Sequence, residues 1–177
     1  MAGQRLTDKT ALEQQAGSGD LLMVVDVSDT TGSSAGTSKK MDFKYVIQTD
    51  KFSLSNAEVL ALHTTPKTLV GALSGYMVTP LSCTVLVTYA ASTESSNSNL
   101  YLGYDGTADS NYWDYTSRFM GTVTTDNTWV YSGGNLPSRG ALPESILNKP
   151  FVMWSNAAFN GGWSCDVYLT YAYTKVL

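Results

Sequence analysis

The 177-residue chain carries 11 Lys and Arg against 15 Asp and Glu, a net charge of −4, and only 15% of its residues are charged, against ~25% in an ordinary soluble chain. With a pI near 4.8, that balance excludes a basic nucleic-acid binder, and 43% apolar residues exclude a disordered chain. The longest apolar runs, such as Leu21-Leu22-Met23-Val24-Val25, are far too short for a membrane span, and the polar opening Met1–Thr10 has no signal-peptide core.

In chain order, the first element is a strand over Leu21–Val27, bounded by Gly17–Asp20 and by the turn-forming run Ser28–Gly36. Thr37–Met41 returns as a second short strand, and Asp42 is placed to cap a turn or two of helix through Phe43, Val46 and Ile47. One hairpin in about fifty residues buries little by itself. We therefore read residues 1–50 as a small module that leans on the next domain or on another subunit, and 51–177 as the main domain.

The main domain opens on one helical turn. Ser55 and Glu58 have capping-box spacing, Val59, Leu60 and Leu62 supply an apolar side, and Thr64-Thr65-Pro66 ends it. Residues 76–90 then alternate as a strand, with Met77, Leu81, Cys83, Val85, Val87 and Tyr89 assigned to one face. Residues 163–176 alternate likewise, with Trp163, Cys165, Val167, Leu169, Tyr171 and Tyr173 together. Shorter strands are expected in Asn99–Tyr104, Gly121–Tyr131 and Phe151–Trp154. Many short strands with turns between them predict an all-β, antiparallel jelly-roll sandwich.

Chemistry-bearing residues are scarce. The single His63 sits beside the capped turn with no nucleophile motif nearby, and no phosphate-binding glycine loop or zinc-protease motif is present. Cys83 and Cys165 lie on apolar strand faces. They read first as buried small hydrophobes, with a disulfide between them as the alternative. Asp105, Asp109 and Asp114 form an oxygen-rich stretch that does not match an EF-hand, so calcium is a minor lead. Glu94, Asp105, Asp114 and Glu144 have no spacing that sets up a glycosidase pair. No enzyme activity and no cofactor are expected.

Aromatics are the richer signal. Tyr112, Trp113 and Tyr115, in what reads as a loop, and Trp129 with Tyr131 are candidates for an oligomer interface, a glycan-stacking surface or plain cover for the sandwich ends.

Residues 53–70, Ser-Leu-Ser-Asn-Ala-Glu-Val-Leu-Ala-Leu-His-Thr-Thr-Pro-Lys-Thr-Leu-Val, resemble the opening of the jelly-roll domain in tailed-phage virion proteins. Asn99–Tyr104, Asn148–Val152, Phe159–Gly162 and the closing Val167–Tyr173 follow in the family's order. Gly19–Val27 with Thr37–Met41 is similar to the attachment modules that begin phage fibre and head-decoration proteins. The resemblance implies a non-enzymatic component of the virion surface, made in the host cytoplasm and typically homotrimeric. Residues 1–50 would serve as virion-attachment and trimerisation module, docking on capsid, tail or baseplate proteins through Leu21, Leu22, Val24, Val25, Met41 and Phe43. No coiled-coil shaft is present, which favours a capsid-decoration or head-fibre protein over a long tail fibre. A receptor-binding tail-fibre or spike module that recognises host-surface carbohydrate is the alternative.

Overall fold

The computed structural model describes residues 20–42, 45–90, 92–104, 111–132 and 146–176. The chain divides into two compact units, Met1–Val46 and Ile47–Leu177. The second begins ahead of residue 51 because a sandwich strand already occupies Gln48–Leu54.

In the first unit, β1 (Leu21–Asp26) pairs antiparallel with β2 (Thr37–Asp42) in a two-stranded sheet, with Leu21 opposite Asp42 and Asp26 opposite Thr37. Asp42, expected to cap a helix, is instead the last residue of β2, held there by its ladder position opposite Leu21. Phe43 lies outside the described residues. Gly36 enters β2 with φ +117, and a Cβ there would sit 2.8 Å from the Asp26 carbonyl oxygen. Only glycine closes this loop without strain.

The second unit holds β3 (Gln48–Leu54), α1 (Asn56–Ala61), β4 (Lys67–Val70), β5 (Tyr76–Tyr89), β6 (Leu100–Gly103), β7 (Tyr112–Thr116), β8 (Asn127–Tyr131), β9 (Phe151–Ser155) and β10 (Trp163–Lys175). Its strands form two antiparallel four-stranded sheets, ordered β3-β10-β5-β8 and β4-β9-β6-β7. Successive described strands from β3 on change sheet except β6 to β7, and the last strand returns between β3 and β5, which is a jelly-roll arrangement. Cys83, Val85, Val87, Val167 and Leu169 from one sheet meet Leu100, Leu102, Phe151 and Met153 from the other, all buried in one core. Each fully buried side chain of this kind contributes roughly 1.5–3 kcal/mol. The α1 turn has the expected capping box: Ser55 accepts from the Glu58 backbone N–H, and Glu58 accepts from that of Ser55.

β10 keeps the predicted alternation, with Trp163, Cys165, Val167, Leu169 and Tyr171 buried. β5 does not. Leu81 is 43% exposed, whereas Val78 and Pro80 are buried. Thr170 pairs with Ser82 and Tyr171 with Pro80, so Leu81 is the extra residue of a bulge and the inward face changes parity across it. Pro80 has no N–H to give a ladder, and on β5's other side β8 covers only Cys83–Val87. A bulge beside an uncovered edge is where a strand proline fits.

Residues 112–115, read from sequence as a loop, form β7. The register passes from Leu102 opposite Asp114 to Gly103 opposite Tyr112 and leaves Trp113 as the bulged residue. That skip hides the period-two signal. In the 121–131 stretch only Asn127–Tyr131 is a strand. The turns before it carry positive φ at Arg118, Met120 and Thr122, which a regular strand would not tolerate.

Candidate functional site

Three places in the molecule concentrate unusual chemistry: the N-terminal hairpin, the outer face of the β4-β9-β6-β7 sheet, and one end of the sandwich around Glu94.

The hairpin sorts its residues by strand parity. Leu21, Met23 and Val25 share a face with Asp42, Lys40 and Ser38 of β2, while Leu22, Val24 and Asp26 share the other with Met41, Lys39 and Thr37. The candidate docking residues are therefore split: Leu22, Val24 and Met41 are half-buried on one face, and Leu21 and Val25 are exposed on the opposite one. Two residues absent from the sequence-derived set, Met23 and Val27, are the most exposed large apolar residues among those described, at 75% and 76%. The run Leu21–Val25 is apolar at every position, so the sequence carries no alternation there, and only the pairing register separates the two faces. Lys40 and Asp42 flank this stripe on β2, and an ion network starts on the opposite face. Lys39 Nζ lies 3.0 Å from Asp26 and 2.8 Å from Asp29, and each carboxylate also accepts from the next Ser or Thr pair, Asp26 from Ser28 and Asp29 from Thr31. The Ser28 and Lys39 hydrogen bonds hold the Asp26 carboxyl well below its ordinary value, and those from Lys39 and Thr31 do the same for Asp29.

The aromatic candidates also separate. Trp113 and Tyr131 are buried at 6% and 4% exposure in the main core, and Trp129 packs on that core with its ring 4.5 Å from Phe119. Only Tyr112 and Tyr115 reach the outer face of their sheet. There they join Tyr101, Val152 and Trp154, which sequence reading did not single out for this role. Tyr115, Tyr101 and Trp154 are cross-strand neighbours on β7, β6 and β9. Tyr101 stacks on Tyr115 at 5.5 Å and 14°, and on Trp154 at 5.3 Å and 15°. A sugar-stacking platform needs a free ring face. Both faces of Tyr101 are taken by its neighbours, and Trp154 is 1% exposed. The row is a second packed layer over β9, whose every residue is buried. It carries one cost: among the described residues the Trp154 indole N–H has no acceptor, worth about 1–3 kcal/mol when buried.

At the sandwich end, the 92–98 and 156–162 segments are clamped by Glu94. The carboxylate is 3% exposed and accepts from the backbone N–H of Ser96 (2.9 Å), Asn160 (3.1 Å) and Gly161 (2.9 Å), with the Trp163 indole N–H at 3.4 Å. Burial pushes its pKa up, but the hydrogen bonds from Ser96, Gly161 and Asn160 outweigh that and leave it below the ordinary value. A Cβ on Gly161 would lie 2.9 Å from Trp163 Cδ1 and 3.1 Å from Glu94 Cα, so the clamp closes only over glycine. Every donor is an internal group of the fold, which makes Glu94 a structural anion.

The remaining candidates are not brought together. His63 is exposed, with Nδ1 3.2 Å from the Leu60 carbonyl oxygen. Cys83 and Cys165 are free and buried, each thiol pushed up to about 12 by burial. Although β5 and β10 are neighbours, Cys83 sits opposite Leu169 and Cys165 opposite Val87. Four residues of ladder, about 13 Å, separate the two thiols, too far for a disulfide. Of the calcium lead, Asp105 and Asp109 lie outside the described residues, as does Glu144, and Asp114 is buried in β7. Among the described residues no helix is long and apolar enough to cross a membrane.

No family model matches the chain, and no curated protein matches it. Among solved structures, a chain of the cyanophage Pam1 capsid asymmetric unit is similar over 97% of both chains at 12% identity, with a TM-score of 0.37. So distant a likeness carries no functional argument.

Proposed function

We propose that this chain is a non-enzymatic bacteriophage virion structural protein, a homotrimeric capsid-decoration or head-fibre protein that displays its jelly roll on the particle surface. Residues 1–50 are the virion-attachment and trimerisation module, and other virion proteins are the partners. One observation carries the reading. A two-stranded sheet is marginal by itself in water, and this one exposes Leu21, Met23 and Val25 along one face, with Val27 exposed in the turn that follows. Such a module is complete only when an assembly covers it.

The sandwich fits a display role. The outer face of its β3-β10-β5-β8 sheet carries little net charge: hydroxyls bond across strands, Thr49 with Thr170 and Thr79 with Thr174, beside the Lys51–Asp166 ion pair and the exposed Leu86 and Val130. Its nucleophile candidates are unactivated, since both thiols are held protonated by burial. Carbohydrate recognition by the aromatic row is the weaker reading, because the rings stack on each other.

The test is mass spectrometry and immunogold labelling of purified particles from the phage whose genome encodes the chain. The protein is expected in the sedimented particles in many copies, with label on their surface. Recovery only from the soluble lysate overturns the reading.

A further inference from the structure

We propose that the exposed stripe of β1 and the following residue, Leu21, Met23, Val25 and Val27, packs against the same stripe of further copies of this chain around a shared rotation axis. The inference rests on the reading of residues 1–50 as an attachment and trimerisation module, and it assigns one face of that module to self-contact rather than to the particle.

The size of the stripe is the first argument. Leu21, Met23 and Val25 are 56%, 75% and 58% exposed and Val27, in the turn beyond them, 76%, together roughly 500 Å² of exposed surface, about the size of the largest apolar patch on a typical monomer, which is often functional. Two such stripes face to face bury at most about 1,000 Å², the lower bound for a specific interface. A hairpin that is marginal alone gains its missing core in this way.

Its shape selects the occupant. The apolar surface is one strand wide, because the cross-strand neighbours on the same face are Ser38, Lys40 and Asp42. A broad partner laid flat over the stripe also covers Lys40 and strips water from its ammonium group, which is costly. Copies turned about a common axis bring their β1 strands together and leave each β2, with Lys40, on the outside in water. The stripe itself carries no charge, so identical surfaces meet without like-charge repulsion. The opposite face cannot serve as the dry seam, since the Asp26–Lys39–Asp29 ion network begins there. Met23, central in the stripe, is unbranched and adapts to an irregular seam.

Size-exclusion chromatography with light scattering on the full chain, with no other virion protein present, reads the proposal directly. At micromolar concentration the wild type is expected at a multiple of 19.1 kDa. Met23→Lys combined with Val25→Lys is expected at the monomer mass, with the sandwich's thermal transition unchanged. Val130→Lys alters a residue that is 71% exposed on β8 and is expected to keep the wild-type mass. A monomeric wild type, a double variant that stays assembled, or dissociation by Val130→Lys alone each overturns the proposal. Binding to particles lacking the chain separates the two readings. If a monomeric wild type binds particles and the double variant does not, the stripe faces the particle; the attachment reading then stands and this inference falls. If the stripe assembles copies that never bind particles, the inference stands and the attachment reading falls.

Discussion

Replacing Glu94 by Gln changes one buried atom and removes one charge, so its effect can be worked from the geometry. The carboxylate offers Oε2 to Asn160, Gly161 and the Trp163 indole, and Oε1 to Ser96. A glutamine keeps one oxygen and puts an amino group in the other position. The favoured rotamer leaves the oxygen with the three donors on the Asn160 side and aims N–H at N–H near Ser96. One buried donor then goes unsatisfied, at about 1–3 kcal/mol, and the surviving bonds lose the charge assistance that roughly doubles their strength. Relief from burying a charge returns part of this. The net is about 3 kcal/mol of destabilisation, which for a domain of this size lowers Tm by roughly 10 °C.

Thermal unfolding followed by circular dichroism checks this at pH 7, and a shift under about 2 °C at that pH refutes the account of Glu94 as a clamp. The acid limb gives an independent check. Glu94 titrates below its ordinary 4.5 in the folded protein, so its contribution is fully present above the unfolded value and is lost as pH falls through the lower folded value. The gap in Tm between wild type and Glu94→Gln is therefore expected to stay constant from pH 7 to pH 5 and to narrow below pH 4.5. A gap that persists undiminished at the acid end means that the charge is not what holds the loops.

Gly161→Ala forces a methyl to within 2.9 Å of Trp163 Cδ1 and is expected to cost about 1–3 kcal/mol by overpacking, read in the same melts. Tyr101→Ala removes the middle ring of the outer stack and is expected to cost about 3–5 kcal/mol. Trp154→Phe loses volume but also the indole N–H, which has no acceptor among the described residues, so chemical denaturation should find it much less damaging than Tyr101→Ala. For the cysteines, burial and pKa values pushed up to about 12 predict no labelling by a thiol reagent in the native protein and two labelled thiols after unfolding. A mass two protons lighter under non-reducing conditions would mean that they pair after all.

The parts of the fold legible from sequence are those where a period survives undisturbed. β10 alternates without interruption from Trp163 to Leu169, and its buried face can be read directly. β5 carries as strong a signal, but the bulge at Leu81 shifts the parity, so Met77 and Leu81 were assigned with the wrong partners. The bulge at Trp113 did the same to β7 on a shorter strand, where one skipped residue removes most of the pattern and leaves what looks like a loop. Pro80 was the local clue to the first bulge and Gly103 to the second.

Glu94 was illegible for a different reason. Its donors at Ser96, Asn160, Gly161 and Trp163 meet it across as many as 69 residues of sequence, and nothing nearby distinguishes it from a solvated loop carboxylate. The hairpin lies between these cases. Its apolar residues were picked by hydrophobicity alone, which mixed two faces of one strand, because Leu21–Val25 is apolar at every position and only the register divides Leu21, Met23 and Val25 from Leu22 and Val24. Hydrophobicity reports only that a segment will be covered. Parity reports which side is covered, and here it separates a half-buried face carrying an ion network from a neutral stripe one strand wide. That separation turns a general expectation of docking into a claim about a single seam, one that two lysines on β1 are enough to break.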